Sequence, residues 1–113
     1  MQGRQMLALY EERLASLQDR LVARLGSHMA RVLLDRAVRQ VMPRYPALHL
    51  IHHGDRGLCF EALQKSYATQ LEEEFAIESA FNDLFAEMLL ILSGLLGPEM
   101  AERIWRDDAD DYV

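Results

Sequence analysis

With 113 residues, half of them hydrophobic and 27% charged, the chain is sized for one domain with its own core, which excludes a two-domain or low-complexity protein. A net charge of −6 argues against general affinity for nucleic acid. The single Cys59 cannot close an internal disulfide, and the longest unbroken apolar run, Met88 to Leu92, is far too short to span a bilayer. No secretory signal is expected, because Glu11, Glu12 and Arg13 interrupt the N-terminal apolar pattern. A reducing cytoplasm is the natural setting. The basic residues are eleven Arg to one Lys, which fits a GC-rich bacterial genome.

Charge is unevenly spread. Residues 1–44 carry a net +4 and residues 45–113 a net −10. The plain reading is that basic N-terminal helices lie against the acidic remainder. The sharper alternative is an anion or phosphate site built from Arg31, Arg36, Arg39 and Arg44.

In chain order, the first element runs from about Gly3 to Leu25. Leu7, Tyr10, Leu14, Leu17 and Leu21 recur at three-four spacing with Glu11, Glu12, Arg13, Asp19 and Arg20 between them. This is a narrow apolar seam with a charged back, suited either to a coiled-coil contact or to an amphipathic core helix. Gly26-Ser27 predicts a break, with Ser27 capping a second helix to Met42 that buries Met29, Val32, Leu33, Ala37 and Val41. Without a break, the two segments would form one helix about 60 Å long. Pro43 and Pro46 end the region in either case.

The middle segment admits two readings. In the preferred one, Pro46 to His53 is a short helix, Gly54-Asp55-Arg56-Gly57 a turn, and Leu58 to Ala68 a helix with Leu58, Ala62, Leu63 and Tyr67 inward. The competing reading is a β-hairpin pairing Leu48–His52 with Leu58–Glu61. Helix is favoured because every long flanking element is helical.

The chain is organised around the stretch from Thr69 to Gly97. Thr69 and Glu72 have capping-box spacing, and Glu73 and Glu74 place negative charge at the positive end of the helix dipole. Ile77, Phe81, Leu84, Met88, Ile91 and Leu95 form one stripe. Phe85, Leu89, Leu90, Leu92 and Leu96 widen it until the last turns are apolar nearly all round. Gly97-Pro98 stops the helix. A short helix to about Arg106 then presents Met100, Ile104 and Trp105, and residues 107–113 read as an acidic, disordered tail. One internal echo supports the break at Gly26: Leu25-Gly26-Ser27-His28-Met29-Ala30 matches Leu96-Gly97-Pro98-Glu99-Met100-Ala101 at four of six positions.

Candidate chemistry is sparse. His49, His52, His53 and Cys59 are the cluster with metal-ligand character, but their spacing matches no zinc signature. Cys59, between Leu58 and Phe60, is expected to be a small buried hydrophobe rather than a nucleophile activated by His52 or His53. No phosphate loop, GxSxG elbow or HExxH motif occurs, so neither a catalytic residue nor a cofactor is predicted. Phe75, Phe81, Phe85 and Met88 fall at helical spacing and are expected in the core.

Association is the better expectation. A domain of this length has a diameter of roughly 35 Å, whereas a Thr69–Gly97 helix would reach about 40 Å. The reading is an all-α bundle of four to five helices, residues 1–106, that forms a homodimer through Phe81, Leu84, Met88, Ile91, Leu92 and Leu95. The Leu7–Leu21 seam offers a second contact. The expected role is a non-catalytic self-association and protein-interaction module, with binding of a small ligand, anion or metal as the alternative.

Overall fold

The computed structural model describes residues 2–54, 57–69 and 74–106. Helix α1 (Gln2–Leu25) and α2 (Ser27–Val41) are followed by a 3-10 turn (Pro46–Leu50) and a two-stranded hairpin, β1 (His52–Gly54) and β2 (Gly57–Cys59). Helices α3 (Glu61–Thr69), α4 (Glu74–Leu96) and α5 (Pro98–Trp105) complete the fold. The all-α class is shown, and the helices pack into a body of 39 × 32 × 27 Å.

The break at Gly26 is real, and it is built on glycine for a conformational reason. Gly26 has φ 87° and ψ 160°, and Gly97 has φ 87° and ψ 154°. Side chains other than glycine's are essentially excluded from that region of backbone space. Hydrogen bonding around the two residues is also the same. Gly26 N–H donates to Val22 O (2.9 Å) and Ala30 N–H to Gly26 O (3.1 Å). Gly97 N–H donates to Ser93 O (2.8 Å) and Ala101 N–H to Gly97 O (3.1 Å). Each glycine thus ends one helix and starts the next with no residue between. Gly26, not Ser27, is the cap residue, and no side chain assists it. The sequence echo marks two hinges of one geometry.

Equivalence extends into the core. Displaced by 71 positions, Leu17 and Met88, Leu21 and Leu92, Ala30 and Ala101, and Leu33 and Ile104 are all buried pairs. Tyr10 and Phe81, also equivalent, stack on each other with ring centroids 5.3 Å apart. The two helical hairpins, α1–α2 and α4–α5, pack together with α2 along α4. An Arg44–Asp83 ion pair (3.4 Å) fixes the C-terminal end of α2 beside the first half of α4. Helix α2 therefore runs antiparallel to α4, and the Gly26 hinge lies towards the same end of the bundle as the Gly97 hinge.

Several expectations need correction. Thr69 closes α3 and α4 starts at Glu74, so the long helix is shorter than expected. Glu72, the second half of the Thr69/Glu72 capping box, lies among residues 70–73, outside those described. At 23 residues, α4 is about 35 Å long and stays within the 39 Å long axis. The helix does not outrun its domain, so its length gives no reason for a second copy. On α2 the buried residues are Ala30, Leu33, Leu34, Ala37 and Val41, while Met29 and Val32 are exposed. The α1 seam is wholly used inside the chain, with Leu7, Leu14, Leu17 and Leu21 all buried.

The middle segment takes parts of both readings. Pro46–Leu50 is helical in the tight 3-10 form, and the hairpin follows with His52 opposite Cys59, His53 opposite Leu58 and Gly54 opposite Gly57. Only from Glu61 does the chain return to α-helix. A tail at 107–113 lies outside the described residues. By length and composition, Glu78–Leu96 is long and apolar enough to cross a membrane, with mean hydropathy 1.4. In this fold it supplies Phe81, Leu84, Met88 and Leu92 to the core.

Candidate functional site

The arginines proposed as an anion site do not converge. Arg31, Arg36 and Arg39 are exposed on α2, and at 3.6 residues per turn they fan across about 140° of its circumference. Arg44 lies beyond the helix, paired with Asp83 and set over the Tyr45 ring at 5.9 Å. Pairing of the basic N-terminal region with the acidic remainder is visible there at the surface, where such pairs contribute little to stability.

The His/Cys cluster is redistributed by the hairpin. His49 sits on the 3-10 turn, and His52 and Cys59 are cross-strand partners on β1 and β2, all three exposed. The His53 side chain lies outside those described. Among the described residues, no group of three or more His, Cys, Asp or Glu side chains is placed to hold a metal ion. Cys59 is exposed rather than buried. The cause is strand alternation: Leu58 and Phe60 turn to the core, and the residue between them points the other way.

The expected interface set divides sharply. Phe81, Leu84, Met88 and Leu92 are buried within the single chain and cannot form a surface, which corrects their assignment to an interface. Ile91 is half-buried, and Leu95 is 55% exposed. In place of that stripe, the fold exposes a different apolar group. Val22, Met29 and Val32 flank Gly26, and Leu95, Leu96 and Met100 flank Gly97. Among the described residues these are six of the eight large hydrophobic side chains that stand exposed, the others being Leu9 and Leu90. All six therefore lie towards the end of the bundle that carries the two hinges. An open groove there runs along Leu96, Gly97, Pro98, Glu99, Met100 and Arg103.

Met29 and Met100 occupy equivalent places, three residues after each hinge, 43% and 41% exposed. Periodicity alone misplaced both of them. A helix beginning at Gly26 or Gly97 turns its first buried contact onto the alanine four residues on, and the methionine before that alanine is left outside. The echo itself held the signal: a Met-Ala pair repeated after each Leu-Gly, with alanine the residue small enough for close packing.

Two polar side chains on α1 lie among the apolar ones. Glu11 and Gln18 are buried, on the same face as Leu7, Leu14 and Leu21. Gln64 of α3 donates from Nε2 to Glu11 Oε1 at 2.8 Å, while Glu11 Oε2 and Gln18 Oε1 have no hydrogen-bond partner among the described residues. Burial pushes the Glu11 carboxyl above the usual carboxylate range, and the Gln64 bond partly offsets this. Nearby, Arg20 closes the open end of α5. Its Nε donates to Ile104 O (3.2 Å) and its Nη2 to Trp105 O (3.3 Å), satisfying carbonyls that a helix end leaves unpaired. Arg20 also lines, with Arg13, Leu17, Phe85 and Trp105, an open cleft of about 260 Å³.

Comparison of the chain with protein-family models, with curated proteins and with solved structures finds no match in any of the three.

Proposed function

We propose that this chain is a non-catalytic helical module that associates with itself as a homodimer and acts as a protein-interaction unit. The observation that carries the reading is the concentration of exposed apolar side chains around the two hinges. Exposed hydrophobic residues scattered singly need no explanation, whereas their concentration towards one end of a fold favours a binding role. Methionine suits such a surface because its flexible, polarizable side chain adapts to a partner. Candidate chemistry elsewhere is thinner: the arginines are spread around α2 and beyond it, and His52 and Cys59 are exposed cross-strand neighbours with His49 on the preceding turn. An exposed free thiol at Cys59 persists best in a reducing compartment, consistent with the cytoplasm of a bacterium.

The test is absolute mass by light scattering after gel filtration, over a range of concentrations. Self-association predicts a mass near twice the 13.0 kDa chain, falling to the chain mass on dilution. A single chain at every concentration would reject it.

A further inference from the structure

We infer that the cleft lined by Arg13, Leu17, Arg20, Phe85 and Trp105 binds a small aromatic carboxylate. This goes beyond self-association and does not depend on it. The starting point is the equivalence of the two hairpins. Shifted by 71 positions, the five lining residues correspond to Leu84, Met88, Ile91, Leu14 and Leu34. Leu14, Leu34, Leu84 and Met88 are fully buried, and Ile91 packs against the core. The same five places therefore make filled core on one side and an open cleft of about 260 Å³ on the other.

Two features of the chain account for the difference. Helix α2 runs on from Leu34 to Val41 and buries Ala37 and Val41, whereas α5 ends at Trp105, the equivalent of Leu34. Two positions that are apolar on the filled side are also arginine on the open side: Leu84 corresponds to Arg13, and Ile91 to Arg20.

The lining selects the chemistry of an occupant. Leu17 is buried, and Phe85 and Trp105 are half-buried, meeting edge to face with ring centroids 6.2 Å apart. Such a wall favours a flat apolar group. Arg20 is held in place by its bonds to Ile104 O, Trp105 O and Ser16 Oγ. Arg13 is exposed, with its guanidinium 5.9 Å from the centre of the Tyr10 ring, and it makes no ion pair among the described residues. On α5 the Glu102 carboxylate is already engaged with Arg106, at 3.7 Å. A guanidinium in this position is best answered by a carboxylate, through two parallel N–H···O bonds. Size narrows the class further. At about 260 Å³ the cleft falls just below the roughly 300–1,000 Å³ of ordinary small-molecule pockets. A single ring with a short acidic arm suits it, and a dinucleotide does not.

The experiment uses the intact chain, including the four aspartates that follow Arg106 in sequence. Trp105 is the only tryptophan, so its indole N–H resonance reports on the cleft in a nuclear magnetic resonance titration. The probes are phenylacetate and phenylacetamide, which carries the same ring without the charge. The inference predicts a saturable shift of the indole signal within about 10 mM phenylacetate. The amide should bind about tenfold more weakly. Arg13→Gln should weaken the acid by about the same tenfold factor and leave the amide unchanged. Arg36→Gln, which removes an exposed arginine of α2, should change neither, and circular dichroism checks that both variants fold as the wild type does.

No saturable shift overturns the inference. Equal binding of acid and amide also overturns it, because the cleft then takes up rings without recognising charge. An equal loss in Arg13→Gln and Arg36→Gln does the same, since attraction to the chain's arginines in general would explain it. N-acetylphenylalanine separates a free acid from the C-terminal residue of a protein chain. It offers the same ring and carboxylate with a peptide bond attached, and the inference predicts that it binds more weakly than phenylacetate. The reverse order would assign the cleft to a peptide C-terminus and overturn the small acid as its ligand.

Discussion

The two helical hairpins share a hinge and differ in how they finish. After Gly26, α2 runs 15 residues and buries five of them. After Gly97, α5 runs only eight, and buries Ala101 and Ile104. The shorter hairpin is compensated in two ways. Proline at the first position of α5 fixes the backbone where an N–H would be unpaired in any case, and its equivalent in α2 is Ser27. Arg20 then holds the far end of α5 through two carbonyls, whereas the position equivalent to Arg20 on α4 is Ile91, packed against the core. A hinge geometry used twice is therefore compatible with different anchoring: apolar length in one hairpin, and proline with an arginine clamp in the other.

The largest effects should come from the matched core positions. Leu21→Ala and Leu92→Ala remove equivalent, fully enclosed side chains, and each should cost about 2–5 kcal/mol in chemical denaturation. A clear inequality between them would show that the hairpins are not energetically equivalent despite their geometry. Next come the hinges. Gly26→Ala and Gly97→Ala place Cβ atoms with no heavy atom within 4 Å, so any loss is backbone strain alone, about 1–3 kcal/mol each. An unchanged midpoint for either would show that its hinge relaxes without cost.

Smaller effects separate the hairpins. Arg20→Met should lower stability by about 1.5 kcal/mol through the lost charge-assisted bonds to Ile104 O, Trp105 O and Ser16 Oγ, with no counterpart for Ile91→Met. Arg20→Lys should restore little, because an ammonium does not supply the same planar fork. Smallest is a gain: Ser27→Pro copies the second hinge into the first, whose Gly26 already has matching angles, and should stabilise by about 0.4–1 kcal/mol. A loss there would mean that the two hinges are similar in shape without being interchangeable.

Much of this architecture was legible in the residues. The α1 seam, the break at Gly26, the stop at Gly97-Pro98 and the inward placement of Phe81, Leu84 and Met88 on a mostly buried helix all follow from helical period and glycine chemistry, whereas Leu95 of the same stripe is exposed. Three features were not, each because tertiary context decided it. Glu11 is buried and takes a hydrogen bond from Gln64 of α3, a contact 53 residues away in sequence. Met29 and Met100 read as core on hydrophobicity, yet their hinges aim the neighbouring alanines inward. Cys59 read as a buried hydrophobe within a helix, and strand alternation reversed it. The candidate surface was legible in kind, as an apolar excess near the C-terminal end of α4. Its members were not, because four of the six expected residues are consumed by the chain's own core.

The central claim is that a second copy covers the apolar side chains exposed beside the two hinges, and peroxide footprinting of methionine reads it residue by residue. Met29 and Met100 are exposed beside the hinges, Met88 is buried, and Met42 sits half-buried at the far end of α2. Exposed thioethers oxidise readily to the sulfoxide, and covering them slows the reaction. As protein concentration rises through the dimerisation range, oxidation of Met29 and Met100 should slow together while Met42 keeps its rate and Met88 stays protected. Rates at Met29 and Met100 that do not change with concentration, or protection that appears at Met42 instead, would contradict the account.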